Sequence, residues 1–146
     1  MQVKDVMTTK VVSIGPEEPV AVAARTLSRS NVGSLPVCTA DGKLRGVVTD
    51  RDIVLRSVAA NEDAGQQTVR EIMTRRLVTV APEDPLNLAA GLMARQQVRR
   101  LPVTKGGKLV GMVAVKDLVR APGMELEAAK ALEGITANVR RPDPEA

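Results

Sequence analysis

Two side chains in the first half of the chain have the types and spacing to grip a sugar. Gly46-Val47-Val48-Thr49 reads as a strand ending at a hydroxyl, and Asp50-Arg51-Asp52 opens the helix that follows. A Thr at a strand end and an Asp three residues on can aim at one point beyond the strand. A carboxylate there accepts hydrogen bonds from both hydroxyls of a ribose diol, while the Thr hydroxyl adds a flexible donor or acceptor. The same residues have a plainer use, because an acid at a helix start caps free N–H groups and opposes the helix dipole. Asp50 is assigned mainly to that cap, and Asp52 is divided evenly between cap and diol.

Other chemistry is scarce. The chain has no histidine, which removes the commonest general base and the usual metal ligand. Its one cysteine, Cys38, can form no internal disulfide and makes a zinc site improbable. Cys38 follows Leu35-Pro36-Val37 in a predicted strand, so a buried small hydrophobe is expected there rather than a reactive thiol. No nucleophile–base pair can be assembled from these residues, so an enzyme ranks last. A net charge of +4 and a pI near 9.6 leave anionic partners open, from nucleotides to nucleic acid.

The elements that must position these residues occur twice. A shift of 66 positions takes Val6-Met7-Thr8 to Ile72-Met73-Thr74, Pro16-Glu17-Glu18-Pro19 to Pro82-Glu83-Asp84-Pro85, and Leu35-Pro36-Val37 to Leu101-Pro102-Val103. Beyond a Gly-containing turn the offset becomes 65, matching Gly46 to Gly111 and Asp52 to Asp117. A length change confined to a turn is what a hairpin tolerates. Each copy is predicted as a β-branched strand (11–14; 77–80), a helix (20–29; 86–95), two strands (34–39 and 44–49; 100–104 and 109–115) and a closing helix (51–58; 116–120). Pro19 and Pro85 are expected at the first helical position, capped by Glu18 and Asp84. The repeats occupy 3–58 and 69–122, separated by a polar linker at 59–68. Thr68-Val69-Arg70-Glu71 reads as a capping box. Residues 123–146 supply one more helix at 124–132, ended by Gly134, and a tail through Arg140-Arg141 that is expected to fray. With 44% apolar residues and no Phe, Trp or Tyr, the core must be built from Val, Leu, Ile, Met and Ala.

The opening Val-x-Asp-Val-Met-Thr, both Leu-Pro-Val segments and Gly-Val-Val-Thr-Asp-Arg-Asp-Ile at 46–53 resemble a tandem pair of cystathionine-β-synthase (CBS) domains. The likeness spans roughly residues 3–120, and Gly33–Ala60 with Val98–Val103 is especially similar to small stand-alone bacterial CBS pairs, which implies no attached enzyme. The implied fold is α/β (α+β): two βαββα repeats packed with pseudo-twofold symmetry around two clefts that bind adenosine derivatives. By the same resemblance Thr49 and Asp52 hold ribose, and Val12, Ile14, Leu35 and Val37 are candidate adenine contacts. For each of these four the ordinary alternative is core. The second copy departs from the pattern, with Ala114 in place of Thr49 and Val115 in place of Asp50, while Asp117 keeps the carboxylate. It gains charge instead: Arg99-Arg100 replaces Gly33-Ser34 and Lys116 replaces Arg51. Basic residues bind phosphates in the family, which makes Arg100 the leading anion-binding candidate and adds Lys116 beside it; a solvated basic face is the alternative. This divergence argues against two equivalent occupied sites.

The function expected is a non-catalytic sensor of AMP, ADP, ATP or S-adenosylmethionine, with no required cofactor or metal. The resemblance further implies a homodimer and a protein partner that reads the bound state. Nucleic-acid binding is the runner-up, supported by Arg75-Arg76, Arg99-Arg100 and Arg140-Arg141 but lacking aromatic residues for base stacking. A ligand-free dimerisation or stress-response protein is a third reading. No apolar run reaches membrane-spanning length and no signal-peptide pattern opens the chain, so a cytoplasmic protein is expected.

Overall fold

In the computed structural model, described over residues 1–137, each Pro-acid-acid-Pro turn leads into an 11-residue helix, α1 (Val20–Ser30) or α4 (Leu86–Gln96). Helical spacing puts Val20, Ala23 and Leu27, and likewise Leu86, Ala89, Ala90 and Met93, on one buried face. Both helices end on a left-handed residue, Asn31 (φ 52°) and Gln97 (φ 55°), which turns the chain into the next strand. The strands form two antiparallel hairpins, β1 (Ser34–Cys38) with β2 (Leu44–Thr49) and β3 (Arg100–Lys105) with β4 (Lys108–Ala114). Helix α2 (Asp50–Ile53) and a π-helical turn (Val54–Val58) follow β2. Helix α3 is Val69–Ile72, α5 (Val115–Arg120) follows β4, and α6 is Glu125–Thr136. Helices with two small antiparallel sheets give the mixed α+β makeup expected.

The chain gathers into two units. One holds Lys10–Leu77 with the hairpin tip Thr104–Val110; the other holds Met1–Thr9, Val78–Val103 and the described residues from Gly111 on. Each unit thus takes its leading segment from the start of the other repeat. In the first unit, Val47 N–H donates to the Thr74 carbonyl at 3.0 Å and Thr74 N–H to the Val47 carbonyl at 2.9 Å. In the second, Thr8 N–H donates to the Met112 carbonyl at 2.8 Å and Met112 N–H to the Thr8 carbonyl at 2.9 Å. Glycine permits both approaches. A Cβ on Gly46 would lie 2.8 Å from the Thr74 carbonyl oxygen, and one on Gly111 would lie 2.9 Å from that of Thr8. Pro36 sits opposite Val47, whose N–H and carbonyl point away toward Thr74, so the proline's missing donor costs β1 no bond to β2.

Several local expectations give way to this exchange. The strands predicted at 11–14 and 77–80 reduce to single parallel bridges, Ile14 to Val37 and Val80 to Val103. Pro19 and Pro85 are themselves the N-caps, without side-chain caps from Glu18 or Asp84. The free N–H groups of α1 go to backbone instead, from Val20 to the Gln67 carbonyl at 2.8 Å and from Ala21 to that of Ala64 at 2.9 Å. Leu86 of α4 donates to the Met1 carbonyl at 3.0 Å in the same manner. Glu71 answers the Thr68 N–H at 2.6 Å, as a capping box requires. Gly134 does not end α6, which runs on to Thr136. It lies against α4, where an added Cβ would be 2.7 Å from Ala94 Cα, so this glycine serves a close helix crossing rather than a stop. The Arg140-Arg141 tail lies outside the described residues.

In the Lys10–Leu77 unit a core of Ile14, Val20, Leu27, Leu35, Val37, Val48, Ile72 and their neighbours closes beneath β1 and β2. Cys38 is half-buried rather than fully buried, and burial pushes its thiol up while a hydrogen bond with Ser13 offsets part of that rise. It is thiol rather than thiolate near neutrality, consistent with a packing role.

Candidate functional site

The junction of β2 and α2 is built by two reciprocal hydrogen bonds. Thr49 is the N-cap of α2, and its Oγ1 accepts the Asp52 N–H at 3.0 Å. Asp52 Oδ2 in turn accepts the Thr49 N–H at 3.0 Å. The cap assigned to Asp50 is therefore made by Thr49 and Asp52. Asp50 is exposed at the first helical position, and its Oδ1 accepts the N–H of Arg51 at 2.8 Å. Asp52 does not have to choose between cap and ligand, because the cap uses one oxygen and leaves the other.

That second oxygen, Oδ1, faces two residues absent from the sequence-based set. Thr74 Oγ1 is 3.5 Å away, a long contact, and Arg56 Nη1 is 3.9 Å away. Both come from the crosswise pairing and the helical turn after Asp52: Thr74 is carried to the site by its ladder with Val47, and Arg56 lies one turn along. The Asp52 residue is only 9% exposed, so its carboxylate works where water screens little. Chemically, the arrangement offers one carboxylate oxygen and two hydroxyls, Thr49 and Thr74, to a ligand rich in hydroxyls. The repeat could have flagged Thr74, since Thr8 and Thr74 match, but only crossed pairing puts it beside Asp52.

The other candidates are distributed as follows. Val12, Ile14, Leu35 and Val37 share the Lys10–Leu77 unit with Thr49 and Asp52. Leu35 and Val37 are fully enclosed and Ile14 nearly so, whereas Val12 is 48% exposed and is the one apolar candidate with much free surface. Arg100, Lys116 and Asp117 belong to the other unit. Arg100 and Lys116 are exposed at the start of β3 and in α5, and the Arg99 carbonyl accepts the Val115 N–H at 2.9 Å. Asp117 Oδ2 accepts the Ala114 N–H at 2.8 Å, half of the box made by Asp52. Ala114 has no oxygen to answer, so the Asp117 N–H lacks the partner that Thr49 gives Asp52. Installing that partner, Ala114→Thr, is expected to raise stability by about 1 kcal/mol, read as a higher urea midpoint at unchanged slope. A lower midpoint would show that the buried Ala114 site has no room for the hydroxyl.

Among the described residues no group of three or more His, Cys, Asp or Glu is placed to hold a metal, and no helix is long and apolar enough to cross a membrane.

Comparison with known proteins agrees with this architecture. The chain is 42% identical over 134 residues to the CBS domain-containing protein YhcV of Bacillus subtilis, covering 92% of this chain and 94% of that protein. Among solved structures it is similar to Hypoxic Response Protein I with two coordinated zinc ions, at TM-score 0.76 and 32% identity, covering 82% of this chain and 98% of that one. It is also similar to the CBS domain pair of protein MJ0100 in complex with 5′-methylthioadenosine and S-adenosyl-L-methionine, at TM-score 0.72 and 29% identity over 82% of this chain and 94% of that one. The CBS domain model matches residues 3–59 and again 69–123, once for each half of the repeat, and the chain belongs to the CBS-domain family.

Proposed function

We propose that this chain is a non-catalytic regulatory protein that binds an adenine nucleotide or adenosine derivative, gripping the ribose with Asp52 and Thr49. One observation carries the reading: the shielded Asp52 carboxylate spends Oδ2 on its own helix cap and keeps Oδ1 directed at Thr74 and Arg56. A ribose diol supplies two donors to such an oxygen, and the Thr49 proton is left to donate because its oxygen is already accepting. The adenosine ligands of the MJ0100 pair support the ligand class. Val12 would pack on the base, with Ile14, Leu35 and Val37 as the wall behind it, and Arg100 and Lys116 would serve an anionic group near Asp117. The assembly proposed is a homodimer in the cytoplasm, whose bound state a partner protein reads.

Calorimetry with AMP, ADP, ATP and S-adenosylmethionine tests the proposal. At least one should bind the wild type, and Asp52→Ala should weaken that ligand tenfold or more, because a charge-assisted hydrogen bond contributes about 1.5–3 kcal/mol. Circular dichroism checks that the variant is folded. Affinity that survives Asp52→Ala unchanged would remove the ribose assignment.

A further inference from the structure

We infer that Arg56 is a positioning residue, a latch that ties the Ile72–Thr74 segment to the Asp52 carboxylate; its ligand-linked half rests on the proposed function. The Arg56 guanidinium donates through Nη1 to the Ile72 carbonyl at 2.8 Å, lies 3.5 Å from the Met73 carbonyl, and stands 3.9 Å from Asp52 Oδ1. Ile72 is the last residue of α3, where carbonyls have no partner within the helix. The half-exposed guanidinium thus bonds a helix end closely and the incoming segment at long range, and stands within ion-pair distance of the carboxylate. The Arg56 backbone is held as well, since its carbonyl accepts Gln67 Nε2 at 3.3 Å. Arg56 lies within the π-helical turn, marked by the Ala59 N–H donating to the Val54 carbonyl at 2.8 Å. Such turns recur at functional sites because they are unfavourable elsewhere.

The internal repeat supplies the control. The residue matching Arg56 in the second copy is Ala121, which is buried and can donate nothing from its side chain. There the Thr8–Met112 ladder forms with bonds of 2.8 and 2.9 Å, as good as those of Val47 and Thr74. The ladder does not require a guanidinium, so Arg56 adds something the fold can do without. What it adds is a connection between Asp52, the proposed diol reader, and a segment that leaves the site toward Arg75 and Arg76. A ligand hydroxyl on Asp52 Oδ1 engages the atom that Arg56 and Thr74 face. By linkage, latch and ligand then influence each other by the same factor, and a latch that holds the carboxylate in place for the diol makes that coupling favourable.

Amide hydrogen exchange by NMR, on the full chain without ligand, tests the latch itself. Arg56→Met should speed exchange at Val47 and Thr74 by threefold to tenfold, leave Thr8 and Met112 at wild-type rates, and lower Tm little. Arg56→Lys, which keeps a charged donor, should restore most of the protection. Unchanged exchange at Val47 and Thr74 in Arg56→Met overturns the latch, whatever the ligand results. Calorimetry with the tightest wild-type binder among AMP, ADP, ATP and S-adenosylmethionine then tests the coupling: Arg56→Met should bind it about tenfold more weakly, with Arg56→Lys nearer the wild type. Faster exchange with unaltered affinity for that binder overturns the coupling. If the wild type binds none of AMP, ADP, ATP and S-adenosylmethionine, the proposed function fails and with it the coupling, while exchange alone decides the latch.

Discussion

Gly46→Val is expected to destabilise the protein by about 3 kcal/mol, lowering Tm by roughly 10 °C. The cause is a collision with backbone, which cannot rotate away as a side chain can. A Cβ at Gly46 falls 2.8 Å from the Thr74 carbonyl oxygen and 2.9 Å from Met73 Sδ. Relief requires β2 and the Met73–Thr74 segment to separate, which stretches both Val47–Thr74 hydrogen bonds. Gly46→Ala should cost less, because it adds one methyl where valine adds three carbons. Gly15→Ala is the control, since its Cβ meets only Glu18 Cγ at 3.7 Å, an ordinary contact. Thermal melts of the three variants decide the matter; a Gly46→Val protein that melts with the wild type would mean the segment is not docked on β2.

That collision also marks where sequence reasoning stopped. The repeat made Gly46 and Gly111 equivalent and made Met7-Thr8 equivalent to Met73-Thr74, so the parts of the contact were visible. Their pairing was not. Proximity along the chain favours Met7-Thr8 on the first hairpin, whereas the molecule docks Met73-Thr74 there and sends Met7-Thr8 to β4. Repeat periodicity is symmetric under that exchange and cannot distinguish the two arrangements. The same exchange explains the helix starts. Backbone carbonyls of Ala64 and Gln67, within the 59–68 linker, reach α1, and no side-chain pattern encodes a backbone acceptor. Gly134 shows the converse, a glycine that reads locally as a stop and is set by a neighbouring helix.

At the candidate site, Thr49 and Asp52 were legible because their geometry is local. Three residues of strand-to-helix turn bring hydroxyl and carboxylate into a capping box. The finer point, that one carboxylate oxygen is consumed and the other kept, depends on atoms that spacing does not resolve. Thr74 was hidden because it is 22 residues away and arrives through the crossed ladder. Arg56 was hidden for another reason: an Arg four residues after an Asp is the ordinary surface pair of an exposed helix, and its role appears only when the Ile72 carbonyl is placed beside it.

Leu35→Ala is expected to cost 2–5 kcal/mol, and the size of that loss separates the two uses its segment suggests. A Leu that serves a ligand must keep surface free for it, and truncating such a side chain removes little packing. Leu35 has none free: it is 0% exposed, stands opposite Val48 on β2, and belongs to the core with Ile14, Val37 and Ile72. Truncation therefore leaves a cavity walled by aliphatic side chains, in a core that has no aromatic ring to collapse into it. Val12 gives the contrast, because at 48% exposure Val12→Ala should change stability by well under 1 kcal/mol. Urea titrations of both variants measure the difference, and calorimetry on the same samples measures its consequence for binding. If Val12→Ala weakens the adenine ligand while leaving the urea midpoint in place, the base contact lies at Val12 and Leu35 only supports the wall behind it. A Leu35→Ala midpoint close to the wild-type value would instead require that the side chain is not enclosed in solution, and would return it to the list of direct ligand contacts.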